Sequence, residues 1–214
     1  MADYMKATRY CDCDSQEIVK KAKQLTVGVS TQRETAKRVF NFVRDEIRFA
    51  LEEHNTSASE TLKRGTGQCV TKSSLQIALL RAAGIPARYH VVDLSSDCLK
   101  GIISQDAYES FGEIITDHPW CECYLSNKWI SCDTLFDKPL YESGLRKGVI
   151  RKEDIPTIDW DGENDVNTIT TWIVTDKGTS PNQDDQWDNE RKGMGSIWPI
   201  LRESNKYTEQ VRKE

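Results

Sequence analysis

The chain has 214 residues, with 34 acidic against 29 basic side chains, a net charge of −5 and a pI near 5.4. That length can bury a core without disulfide or metal staples, and it predicts one domain over residues 1–214. The acidic balance excludes a general nucleic-acid binder, no apolar run approaches a membrane span, and Met1-Ala2-Asp3-Tyr4-Met5-Lys6 lacks the order of a secretion signal, so a soluble cytoplasmic protein is expected.

Seven cysteines without a secretion signal argue for reduced thiols rather than a disulfide framework. Cys11/Cys13 and Cys121/Cys123 are spaced Cys-x-Cys, closer than structural zinc sites use, so no metal or other cofactor is expected. Asn55-Thr56-Ser57 matches a glycosylation sequon that has no consequence without a secretory route.

The first half reads as helical. Ser15 caps a helix through about Leu25, with Ile18, Val19, Ala22 and Leu25 on one face. Thr31-Gln32-Arg33-Glu34 opens a longer helix carrying Ala36, Val39, Phe40, Val43 and Ile47. Ser57-Ala58-Ser59-Glu60 is a second capping box, on a short helix closed by Gly65. Cys69 then precedes the helical run Val70 to Ala83, which Gly84 and Pro86 terminate. After Pro86 the period changes. Ala87 to Leu94 reads as a strand, and Ser95 to Thr116 as an excursion with one short helix. His118 to Leu125 and Lys128 to Asp133 make two more strands around Ser126-Asn127. Beyond Asp133 the pattern weakens: Thr168 to Val174 predicts a strand, Pro181 to Gly195 a polar loop, and Glu203 to Glu214 a charged helix or frayed tail.

Cys69 carries the chemistry. A thiol at a helix entrance meets outward-pointing N–H groups and the positive end of the dipole, which favour thiolate and can bring a cysteine pKa from about 8.5 to roughly 3.5–7.5. The plain alternative is a small buried cysteine plugging the helix end. The hairpin decides between them. If Ser126-Asn127 is its turn, Tyr124 faces Trp129 and Trp120 faces Asp133, so His118, Trp120, Glu122 and Tyr124 share a face with Trp129, Ser131 and Asp133. His118 then lies diagonal to Asp133 at about 7–8 Å between backbones, within reach of an imidazole–carboxylate hydrogen bond. Cys121, Cys123, Leu125, Ile130 and Cys132 form the opposite face, which should lie against the helices.

Nucleophilic catalysis needs this combination: a thiolate to attack, an imidazole to move its proton, and a carboxylate to hold the imidazole. The backbone N–H of Cys69 is one expected oxyanion donor; the Gln68 side chain or an indole are candidates for the second. Trp120 is as much wall as substrate contact, and Glu122 is a candidate supporting residue. His54 and His90, with no partner at a readable spacing, read as surface or satisfied polar residues. A metal site using His118, Glu122 and neighbouring cysteines conflicts with strand alternation, which puts the cysteines on the wrong face.

At these residues the chain resembles the transglutaminase-like superfamily of thiol enzymes. The matching stretches are Gly67-Gln68-Cys69 with its helix, Leu79 through Tyr89, His118 through Leu125, and Trp129-Ile130-Ser131-Cys132-Asp133. The likeness covers residues 31–140 and leaves 141–214 as an unplaced extension. It departs at Pro119, Cys121 and Cys123, where many members carry small or apolar residues. The resemblance is to small microbial stand-alone members. It implies an α+β papain-like fold, N-terminal helices packed on an antiparallel sheet, with Cys69 as nucleophile, His118 as base and Asp133 as orienter. The expected function is a thiol hydrolase or acyltransferase acting on an amide bond in a peptide, protein or small amide. Protein-glutamine transamidation and a non-catalytic peptide-binding module are the alternatives. The residues after Asp133, with Trp160, Trp172, Trp187 and Trp198, are the expected cover, though these tryptophans fit a core role equally.

Overall fold

A computed structural model describes residues 1–53 and 55–213, and for 190–194 the backbone alone; the expectation for His54 lies outside the described residues. Capping fixes the N-terminal helices as the sequence predicts. Ser15 accepts the Ile18 amide at the start of α1 (Gln16–Thr26), and Thr31 accepts the Glu34 amide at the start of α2 (Gln32–Glu46). Both halves of the Ser57/Glu60 box form on α3 (Ala58–Arg64), which Gly65 closes with φ 72°. The two-residue segments β1 (Arg48–Phe49) and β2 (Thr66–Gly67) pair in parallel and deliver the chain to α4 (Cys69–Ala82).

The main sheet is antiparallel. β3 (Ala87–Ser95), β4 (Ile114–Leu125), β5 (Lys128–Ser131) and β6 (Ile173–Ser180) lie in the order β5-β4-β3-β6. Ser126 and Asn127 both adopt positive φ, 49° and 63°, the backbone of a two-residue hairpin turn. That turn sets the register Tyr124↔Trp129 and Glu122↔Ser131, so the predicted pairing is the observed one. Alternation then separates two cores. Tyr89, Cys121, Cys123, Ile130 and Cys132 pack with α1, α2 and α4; Val92, Leu94 and Trp120 pack on the other side with the C-terminal elements.

The last third departs from expectation. A helix, α6 (Lys138–Lys147), follows Asp133 unannounced, capped by Asp137 and closed by Gly148. The predicted strand over 168–174 begins instead at Ile173, because β6 is a largely exposed edge strand whose polar residues hide the alternation. Pro181 to Gly195 is not a loop: α7 (Asp184–Met194) sits there, anchored by a buried Trp187 against Tyr10 and Tyr89. Of the two alternatives for Glu203 to Glu214 the helix is the one that forms, as part of α8 (Trp198–Lys213), with Leu201, Ser204, Thr208 and Val211 buried. The one short helix expected in the excursion after β3 is α5 (Gln105–Phe111).

Arg212 holds α8 in place. Its guanidinium grips Asp137 through Nε (3.0 Å) and Nη2 (2.9 Å) and also donates to the Phe49 carbonyl at 2.7 Å. Burial alone would raise the Asp137 carboxyl, but the bidentate Arg212 outweighs it and holds the group below its ordinary range. Removing one partner would strand a buried charge. Arg212→Met is therefore expected to cost about 3–5 kcal/mol, on the order of 10 °C in melting temperature for a chain of this size. A calorimetric shift under 2 °C (~1 kcal/mol or less) would mean that the pair contributes nothing net.

Candidate active site

Cys69 is the first residue of α4, and Gln68 is its cap. The Gln68 carboxamide oxygen accepts the Val70 amide at 3.0 Å and the Cys69 thiol at 2.8 Å, while its nitrogen donates to the Glu52 carbonyl at 3.3 Å. The Val70 N–H needs an acceptor, which fixes this orientation. Gln68 thus presents oxygen, not nitrogen, to the sulfur. As an oxyanion donor it is misplaced; as a device that holds the thiol it fits. Gly67 is required here, since an added Cβ would stand 2.6 Å from Thr71 Oγ1, the atom that accepts the Gln68 amide. The Cys69 amide belongs to the first helical turn, whose donors point out of the helix.

His118 reaches the same place from the sheet. Between Val92↔His118 and Leu94↔Ile115 the β3–β4 register shifts, with Thr116 and Asp117 opposing Asp93 alone. Asp117 adopts φ 57°, and its amide donates to Asp93 Oδ1 at 3.0 Å. Lys177 of β6 bridges both carboxylates, at 2.5 Å to Asp93 and 2.8 Å to Asp117. This pinned bulge explains why β4 starts at Ile114 and not His118: it interrupts the alternation that marks a strand.

The hairpin pairing runs on to Cys132, whose amide bonds the Cys121 carbonyl at 2.9 Å; extending that register by one residue puts Asp133, whose own amide bonds the Val166 carbonyl at 3.0 Å, opposite Trp120 and diagonal to His118. Its carboxylate is engaged elsewhere. Oδ1 accepts the Leu135 amide at 3.0 Å; Oδ2 accepts the Thr168 amide at 3.1 Å and the Thr168 hydroxyl. His118 Nε2 is buried with no hydrogen-bond partner among the described residues. The expected direct His118–Asp133 hydrogen bond is therefore not formed in this state, although the two groups occupy neighbouring positions on one face.

A cavity of about 380 Å³ joins these elements, with Cys69, Gln68 and His118 in its wall. Phe49 and Leu51 line it from the β1 segment, Leu99 from the excursion, and Trp198 and Leu201 from α8. Asn205 secures that roof by pairing both the amide and the carbonyl of Leu51, at 2.7 and 3.0 Å. Of the four tryptophans expected as cover, only Trp198 lines the cavity; Trp160 packs on Phe40, Trp187 lies in the helical core, and Trp172 packs beside the second core.

Trp120 and Glu122 lie outside the cavity lining. Trp120 stacks on His90 with ring centres 4.2 Å apart and donates its indole N–H to Ser131 Oγ at 3.1 Å. Glu122 accepts from Arg88 at 2.7 Å and pairs with His90 Nδ1 at 2.7 Å, so it serves a salt-linked network. His90 is a satisfied polar residue, its Nε2 pairing with Asp176 at 2.9 Å. Burial alone would lower its pKa, but these two carboxylates hold it above the usual histidine range. Among the described residues, no group of three histidine, cysteine or acidic side chains could hold a metal ion. Sequence reasoning missed Asp117, Lys177 and Thr168, since each acts through a partner distant along the chain.

Burial pushes the His118 imidazole down to about 3, against about 6.5 in an unfolded chain. Between these values the unfolded state binds a proton that the folded state does not, so stability falls as pH drops through that window. Asp133, raised by burial, acts in the opposite sense, losing its contribution as pH rises through its folded value. From pH 7 to pH 4 the unfolding free energy should therefore fall about 3 kcal/mol further in the unsubstituted protein than in His118→Gln. Urea unfolding at both pH values checks this; equal falls would mean a solvated imidazole.

A helix that begins at Cys69, packed on an antiparallel sheet and sharing one cavity with His118, defines an α+β protein with a papain-like arrangement. The family model for the transglutaminase-like superfamily matches residues 19–134, just over half of the chain, and the protein belongs to that superfamily. Among solved structures, a "putative cysteine protease" from Cytophaga hutchinsonii has the same fold, with a TM-score of 0.53 at 18% identity. The match covers 85% of this chain and 47% of that one, so this chain spans about half of that protein's length. No curated protein matches the chain. No helix among the described residues is long and apolar enough to cross a membrane.

Proposed function

We propose that the protein is a thiol hydrolase or acyltransferase acting on an amide bond, with Cys69 as nucleophile, His118 as base and Asp133 as the group that supports the imidazolium. The observation that carries this reading is the convergence of Cys69 and His118 on one cavity from two separate elements. Burial keeps the resting imidazole neutral and thus able to accept a proton. The Cys69 sulfur adds to the acyl carbon as its proton passes to His118, with the Cys69 backbone amide at the start of α4 as one donor to the developing oxyanion. The C–N bond breaks, His118 returns the proton to the leaving amine, and a thioester remains on Cys69. Water then releases the acid, or a second amine takes the acyl group. Plentiful water favours hydrolysis of a peptide, protein or small amide.

Iodoacetamide tests the reading. Cys69 is partly exposed, while the other six cysteines are buried, and burial raises those thiols, Cys11 and Cys98 to about 12. Peptide mapping should find Cys69 alkylated at least about 10-fold faster than the rest, and this lead should shrink in His118→Ala. Uniform slow labelling, unaltered by that substitution, would point to a non-catalytic peptide-binding module.

A further inference from the structure

The lining of the Cys69 cavity has a chemical bias. Phe49, Leu51, Leu99, Ile115, Trp198 and Leu201 dominate it, and among the described residues no lysine or arginine contributes to it; its one imidazole, His118, is held neutral by burial. Its two carboxylates are already engaged. Asp117 takes Lys177 and the Gln186 carboxamide, each at 2.8 Å. Glu52 accepts the Thr66 hydroxyl at 3.0 Å and faces Arg64 at 3.7 Å. An anionic acyl group entering here would find no cation, and a carboxamide would lose its water without gaining a set of partners. A hydrocarbon group would lose nothing.

From this lining we infer that the acyl group transferred to Cys69 is neutral and apolar: a medium-length or aromatic hydrocarbon, not a glutaminyl or acidic group. The inference rests on the proposed role of Cys69 as acyl carrier. The space fits that class: a cavity of about 380 Å³ equals on the order of a dozen water-sized groups at about 30 Å³ each. Two sources share this chemistry, a fatty acyl donor and a peptide with an aromatic or aliphatic residue on the acyl side of the scissile bond. In either case a C–S bond forms as the C–O or C–N bond breaks, the thiol proton leaves with the alcohol or amine by way of His118, and water later regenerates the thiol.

Each methylene buried in the cavity should raise kcat/KM by up to about four-fold (about 0.8 kcal/mol). The experiment measures 4-nitrophenyl acetate, octanoate and hemisuccinate alongside peptide anilides bearing phenylalanine or glutamine at the acyl side. Cys69→Ala is the blank, and intact mass reads the thioester. Octanoate should exceed acetate and hemisuccinate by at least about 100-fold, and phenylalanine should exceed glutamine similarly. The arm with the larger selectivity within itself, octanoate over acetate or phenylalanine over glutamine, identifies the source. Ile114 is 42% exposed at the cavity wall, so Ile114→Arg can be made without touching the core. It should shift the hemisuccinate-to-octanoate ratio at least about 10-fold toward hemisuccinate. Ser110→Trp, filling the cavity from a half-buried position on α5, should cut the octanoate-to-acetate ratio by a similar factor. Equal acylation of Cys69 by all donors would overturn the apolar preference while leaving Cys69 as acyl carrier. Absence of acylation by any donor would overturn both.

Discussion

Cys69→Ala should abolish turnover, with kcat/KM falling at least about 10⁴-fold and no acyl adduct appearing in the intact mass. The size of the loss follows from the chemistry: without sulfur there is no covalent route, and water alone must attack an amide. The substitution is also mild for the fold. Alanine is the best helix former, Cys69 is only partly buried, and the capping bond from Val70 to the Gln68 carboxamide does not involve the sulfur. Thermal unfolding should therefore move by no more than a few degrees, about 1 kcal/mol. Retained activity in a well-folded Cys69→Ala protein would move the reaction to another group in the cavity.

What the sequence made legible follows from local rules. The Ser126-Asn127 turn, both residues at positive φ, fixed the hairpin register, and alternation then assigned residues 118–125 of β4 and all of β5 to their faces, stopping at the bulge before His118. Caps at Ser15, Thr31 and Ser57 announced three helices for the same reason: side chain and amide lie within three residues of each other. The rest depended on distance along the chain. Thr168 meets Asp133 across 35 residues, and α7 docks through Trp187, through the buried Asp184, which accepts the Thr8 hydroxyl and the Arg9 amide, and through Asp188, which accepts from Arg9 and the Tyr10 hydroxyl. Neither arrangement has a periodicity to read. Trp120 and Glu122 share a face with His118, as alternation predicts, but sharing a face did not bring them into the cavity; Arg88 and His90 claim them instead.

The C-terminal third completes the cavity that α4 begins. Residues 19–134 carry the family match, whereas Lys177 pins the bulge before His118, Thr168 holds Asp133, and Trp198 with Leu201 roofs the cavity. Each of these contacts reaches back to a residue inside the matched segment. Elements beyond that segment therefore shape both the position of His118 and the character of the cavity it shares with Cys69.

Asp133→Asn carries the second large expectation, a fall in kcat of about 10²–10⁴-fold with KM little changed. The argument begins with the base. An imidazole that burial holds near 3 becomes an imidazolium at a cost of roughly 5 kcal/mol relative to its solvated value. Proton transfer from Cys69 requires that cost to be offset by a nearby negative charge. Of the carboxylates on that sheet face, Glu122 is already paired with Arg88 and His90, leaving Asp133, diagonal to His118. Asparagine preserves shape and can still accept the Leu135 amide, but its NH2 then faces the Thr168 amide, so stability should fall by about 1–3 kcal/mol, a loss that urea unfolding reads separately from kcat. Thr168→Val separates charge from orientation. It keeps the carboxylate but removes the hydroxyl that holds Oδ2, and kcat should fall about 10-fold, less than in Asp133→Asn. Steady-state kinetics on both variants, with urea unfolding alongside, decides the matter. If Asp133→Asn turns over normally, the carboxylate serves only to tie residues 133–135 to 168, and the anion that supports His118 must be the sulfur itself.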